Sequence, residues 1–163
     1  MLQNWLSMTA LMVLRSMSTK NATLYDTDFY AWTVEQAALL RAGRLSEADV
    51  ENIAEEIEST GRSERSELVS RLTVLFVHLL KWRYQAGLRS RSWRITIERQ
   101  RLDVRDHLTD NPSLKSQLDE IMGRAYRRAR IDAEGETHLP RSTFPETCPF
   151  TFDEAMHPDF WPD

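Results

Sequence analysis

The sequence predicts an all-α fold: a helical bundle of about five helices, with an extended, proline- and aromatic-rich C-terminal tail packed on it. Three observations carry that prediction. Apolar residues recur at three- and four-residue spacings along most of the chain, which places them on one face of a helix. Leu, Ala, Glu and Arg dominate and only five glycines interrupt them, so good helix formers prevail. No strand-like alternation, internal repeat or low-complexity tract competes with this pattern.

The first helix is predicted from about Thr27 to Ala42. Asp26 or Thr27 caps it, Asp28 sits near its positive end, and Gly43 supplies the stop. Phe29, Trp32, Gln36 and the Leu39–Leu40 pair recur at helical spacing, which assigns the aromatics to core. Ser46 opens a second helix with Asp49 at the capping-box position, and Val50, Ile53, Ala54 and Ile57 make one apolar stripe. Gly61 either terminates that helix or is a tolerated break within a longer one.

The central helix runs from Ser63 to about Gln85. Leu68, Leu72, Leu75, Leu79 and Trp82 form a heptad-like seam, with Val69, Phe76 and Leu80 as a second stripe beside it. A helix apolar on two faces is surrounded by others, so this one is the bundle's centre. Ser90 or Ser92 caps a fourth helix that buries Trp93, Ile97, Val104 and Leu108. Asn111 and Pro112 restart the chain as N-cap and first helical residue, and the fifth helix reaches about Ala133, with Gly135 marking its end. Its inward residues are Leu114, Leu118, Ile121, Ala125 and Ala129.

Past Leu139 lie five of the six prolines, interleaved with Phe144, Phe150, Phe152, Phe160 and Trp161. Prolines fix the path and aromatics anchor it, so residues 139–163 are read as a docked strap with a short turn near Asp153–Met156. In domain terms, residues 1–22 are a peripheral N-terminal segment and 23–163 a single helical domain.

The motifs LYDTDFYAWTVEQAALLRAGR, DVENIAEEIESTGRSER, LVSRLTVLFVHLLKW, RSWRITI, NPSL, FPETCPFTFDEAM and DFWP occur in order from about Leu24 to Pro162. In that order and spacing the chain resembles the bacterial domain of unknown function family 29. The resemblance implies a helical fold and a bacterial source. It implies no activity, because that family brings no catalytic or binding residues to carry across.

A formal charge of −4 gives no general reason for nucleic acid binding, but its distribution is uneven. Nine acidic residues face only Arg41 and Arg44 between Asp26 and Glu58, whereas Arg62–Arg105 holds eleven basic residues and four acidic ones. Such asymmetry belongs either to paired or solvated helices or to a polyanion-binding face. A single cysteine, Cys148, excludes a disulfide framework and a cysteine-built zinc site, and suits a reducing cytoplasm. Leu2–Leu14 is apolar but too short to span a bilayer and is broken by Gln3, Asn4, Ser7 and Thr9, so no membrane association is expected. No cofactor and no metal site are expected either; His78, His107, His138 and His157 are scattered rather than spaced as ligands.

Arg71 and His78 are the strongest chemical candidates. Seven residues amount to roughly 700°, about 20° short of two turns, so both project from one side of the helix. The spacing is similar to that of the HEPN ribonucleases and toxins, where a His moves protons and an Arg stabilises phosphorane charge. An Arg paired with a carboxylate and a His bonded within the bundle explain the same residues. Asn52, Glu55 and Glu56 form a polar group on the second helix, read chiefly as ion-pair partners for Arg71, Arg94 or Arg101. Trp93 and Arg94, like Lys81, Trp82 and Arg83, set tryptophans among cations, as core packing with snorkelling cations or as base stacking. Cys148 has no neighbouring base and is read as a small buried group. The leading functional expectation is a noncatalytic accessory or interaction module, as a homodimer or with a protein partner. Its alternatives are a metal-independent HEPN-like ribonuclease or toxin using Arg71 and His78, and a nucleic-acid-binding protein without cleavage, with RNA as a candidate partner.

Overall fold

The computed structural model describes residues 24–163; the peripheral segment expected over 1–22 lies outside the described residues. Those described divide into two units, one ending at Gly61 and the other spanning Arg62–Asp163. Helices and 3₁₀ turns build both, and no strand occurs among the described residues.

In the first unit, helix α1 covers Phe29–Arg41, and the Asp28 carboxylate caps it by accepting the Ala31 N–H at 3.0 Å. Gly43 ends it at φ +69°, a left-handed turn in which the Arg44 N–H reaches back to the Leu39 carbonyl at 2.9 Å. Trp32, Gln36 and Leu39 are buried, as the spacing predicts. The expected opening of the next helix at Ser46 is not seen. Residues Leu45–Glu47 close a 3₁₀ turn, Ala48 is extended, and helix α2 begins at Val50. Asp49 caps it instead: its backbone carbonyl accepts the Ile53 N–H at 3.0 Å, and its side chain faces the Asn52 N–H at 3.4 Å.

Helix α2 runs unbroken over Val50–Tyr84, 35 residues, so Gly61 is a tolerated break and the expected second and third helices are one. Within the second unit its residues Leu68, Leu72, Leu75, Phe76, Leu79 and Leu80 have no exposed surface. They form the centre that the two apolar stripes predict. Helix α3 (Arg91–Asp110), capped by the Ser90 hydroxyl, adds Ile97, Val104 and Leu108, and helix α4 (Leu118–Thr137) adds Ile121, Ala125, Tyr126, Ala129 and Ala133.

Two boundaries differ from expectation. Pro112 opens a 3₁₀ turn, Pro112–Gln117, rather than α4 itself, and Asn111 makes no side-chain cap. Its amide donates instead to Glu64 Oε2 at 3.2 Å and to the His107 carbonyl at 3.3 Å. Gly135 lies inside α4, which stops at His138 in a left-handed conformation of φ 60°. Gly135 is not in the left-handed conformation, and the helix continues to Thr137, which is buried and whose hydroxyl donates to the Ala133 carbonyl at 2.6 Å.

The strap is docked as expected. Phe144 and Phe150 are buried, Tyr126 Oη donates to the Pro145 carbonyl at 2.9 Å, and Thr151 with Glu154 forms a capping box on helix α5 (Phe152–Met156). Arg101 holds the rest. Only 3% exposed, it donates Nε to the Ala155 carbonyl at 2.8 Å, Nη1 to Pro158 at 3.1 Å and Nη2 to Phe160 at 2.7 Å. Trp161 then lies on Trp82, ring centroids 4.6 Å apart.

Candidate functional site

The register of α2 puts Arg71 and His78 where their spacing predicts, and each already has partners. The Arg71 guanidinium is held by Glu67 one turn earlier (2.8 Å) and by Asp103 of α3 (3.1 Å). Both carboxylates are partly exposed, and the buried Arg71 Nε has no hydrogen-bond partner among the described residues. His78 Nδ1 lies 2.9 Å from the Val74 carbonyl. A carbonyl only accepts, so Nδ1 carries the proton and Nε2 offers the lone pair. Burial lowers the His78 pKa against the opposing pull of the Val74 hydrogen bond, and the Lys81 charge lowers it further against a smaller pull from Glu136. The ring is therefore neutral and basic at Nε2.

Lys81 and Glu136 complete this neighbourhood, and spacing alone does not point to either. Lys81 is 8% exposed, its Nζ meets Glu136 Oε2 at 2.6 Å, and it stands 4.5 Å from the Trp93 ring centroid. Glu136 is itself exposed, so the pair is open to solvent on its acidic side while the ammonium stands over the indole.

The remaining polar candidates fall in different units. In the first, Asn52 Nδ2 donates to Asp49 Oδ2 at 2.8 Å, and Glu56 accepts the Tyr25 hydroxyl. That hydrogen bond is the main cause of the raised Tyr25 pKa, with Glu55 adding repulsion. In the second unit Arg94 pairs with Glu98 at 3.0 Å, and its guanidinium lies 5.3 Å from the Trp161 ring. The expected ion pairs between the Asn52–Glu56 group and Arg71, Arg94 or Arg101 are thus replaced: the first two take acids of their own unit, and Arg101 takes backbone carbonyls. Cys148 is half-buried, donates to the Phe150 carbonyl, and has its pKa raised by burial, which leaves it a thiol. Among the described residues no three His, Cys, Asp or Glu side chains converge as metal ligands.

The first unit also leaves apolar surface open. A groove of about 240 Å³ lies between α1 and the opening turns of α2, lined by Trp32, Ala37, Leu40, Ile53, Ile57 and the rim residue Glu56. The stripe on α2 that the sequence shows is mostly uncovered: Ile57 is 68% and Val50 57% exposed. Tyr30, Val34 and Leu40 of α1 are exposed as well.

The family model described as Domain of unknown function DUF29 matches residues 24–161. The chain belongs to the DUF29 family. As a DUF29 protein it has a helical fold, and the match ends within the strap, so the strap is part of the family's unit. No curated protein and no solved structure matches the chain. No helix among the described residues of this DUF29 member is long and apolar enough to cross a membrane.

Proposed function

We propose that this DUF29 protein is a noncatalytic interaction module of the bacterial cytoplasm, whose groove between α1 and the start of α2 receives a cationic amphipathic helix from a protein partner. The exposed apolar lining of the groove carries the reading. Trp32, Ala37, Leu40, Ile53 and Ile57 line it; Trp32 is buried, while Leu40 and Ile57 are exposed. Large apolar side chains left open at i, i+3 and i+4 positions match the face of a docked helix. Charge selects the partner's sign. Between Asp26 and Glu58 the chain carries nine carboxylates against two arginines, so a helix flanked by Lys and Arg is attracted and an acidic one repelled. The free thiol of Cys148 fits a reducing compartment.

The test uses two labelled synthetic peptides with the same leucine face, one with lysines and one with glutamates on the opposite face. The lysine peptide is expected to bind, and Ile57→Glu to weaken it by about tenfold or more, since a charge would be buried at the contact. Added salt should weaken it further. Equal binding of both peptides, or no effect of Ile57→Glu, refutes the reading. Self-association lost in Ile57→Glu would make the occupant a second copy instead. RNA cleavage abolished by His78→Ala would replace the module by the ribonuclease.

A further inference from the structure

The second unit has a cavity of different character, about 600 Å³, where the end of α2 meets the Ala86–Leu88 turn and the start of α3. Trp82 and Ile95 provide its apolar wall; Arg89, Arg91, Arg94 and Glu98 provide its charges. Three guanidinium groups therefore face one carboxylate.

Each arginine is placed differently. Arg89 donates Nε to the Trp82 carbonyl at 2.8 Å and Nη2 to the Pro162 carbonyl at 3.4 Å, and lies 5.2 Å from the Trp82 ring centroid, so neutral groups fix its direction and no ion pair holds it among the described residues. Arg91 is exposed and has no hydrogen bond or ion pair among the described residues. Arg94 meets Glu98 across one helical turn with both side chains more than half exposed, a pairing weak enough to be exchanged for a stronger acceptor. Three like charges within six residues repel one another, and a bound anion adds a favourable partner beyond the single Glu98 carboxylate. Guanidinium forks match the paired oxygens of phosphate better than a point cation would.

From this we infer that the cavity binds a small organic phosphate, with Arg91 and Arg94 clasping the phosphate oxygens, Arg89 supplying fixed positive potential, and Trp82 with Ile95 covering the organic part. The volume suits a metabolite-sized ligand rather than a bare ion. The site is independent of the groove in the first unit, and either can fail without the other.

Pyrophosphate and inorganic phosphate, titrated calorimetrically into the full chain at constant ionic strength, are the probes. Pyrophosphate is expected to bind the tighter of the two and to raise the melting temperature. Arg91→Gln and Arg94→Gln change exposed side chains, so both variants should fold, and each should weaken pyrophosphate binding about tenfold. Arg105→Gln, outside the cavity, should leave it unchanged. No binding of pyrophosphate, equal binding by the Arg91→Gln variant, or the same melting shift with sulfate overturns the site. Binding of single-stranded RNA in preference to pyrophosphate, with the same Arg91 dependence, overturns the small-molecule assignment.

Discussion

At the scale of single residues, His78 and Arg101 show how burial changes what a charged group does. His78 is held neutral, because water is removed around it and Lys81 stands nearby. The ordinary imidazole value of 6.5 applies to the unfolded chain. Above it both states are neutral at this position and stability does not depend on pH through His78. Below it the unfolded chain takes up a proton that the folded ring refuses, so stability falls as pH falls, until the folded value is passed. A His78→Gln variant keeps a donor for the Val74 carbonyl and cannot titrate. Its melting temperature should therefore drop less than the wild type's on acidification through this range; equal slopes would show that other groups set the dependence. Arg101 keeps its charge but spends its donors on three carbonyls lying 54, 57 and 59 residues further along the chain. Partners that remote leave no trace in local spacing. The same holds for Glu136 beside Lys81, whereas the shared side of Arg71 and His78 follows from helical geometry alone.

At the scale of elements, glycines mark where reading from spacing succeeds and where it does not. Gly43 stops α1 because a left-handed residue is required there. Gly61 and Gly135 do not stop their helices: neither is in that conformation, the buried Leu68–Leu80 seam follows Gly61, and the buried Thr137 follows Gly135. A Cβ added at Gly61 meets nothing within 4 Å. Gly61→Ala should accordingly stabilise α2 by about 0.5–1 kcal/mol, read as a raised denaturation midpoint. Gly43→Ala should cost about 1 kcal/mol or more, since φ +69° is strained for any side chain. Loss of stability at Gly61→Ala would mean the helix is interrupted there in solution. The apolar seam of Leu68–Leu80 was legible because burial on two faces leaves a double periodicity. The turn at Pro112–Gln117 was not, because α and 3₁₀ turns share their residue preferences.

For the whole molecule, apolar burial is unequally divided. Among the described residues of the first unit only Trp32 and Leu39 are buried hydrophobics, while twenty residues of the second unit form one cluster. Local stability follows buried apolar area, so α1 should open far more readily than the Leu68–Leu80 stretch of α2. Amide hydrogen exchange would show this as faster exchange over Phe29–Arg41; comparable protection in both would refute it. A weakly held unit with exposed apolar side chains is also the one that gains most from a partner, in keeping with the proposed docking role. The acidic and basic halves were plain in the sequence, yet only the fold separates the apolar groove from the arginine-lined cavity.

The strap has a consequence for how the protein is made. Phe150 stacks toward Phe76, Phe144 meets Tyr84 edge-on, and Trp161 lies on Trp82, so α2 is finished by residues translated some sixty to eighty positions after it. A nascent chain that has reached only Leu139 already holds every long helix of the second unit, but Phe76, Tyr84 and Trp82 then lack their covers. Ribosomal stalling or proteolysis at that point yields a sticky intermediate rather than a smaller working domain.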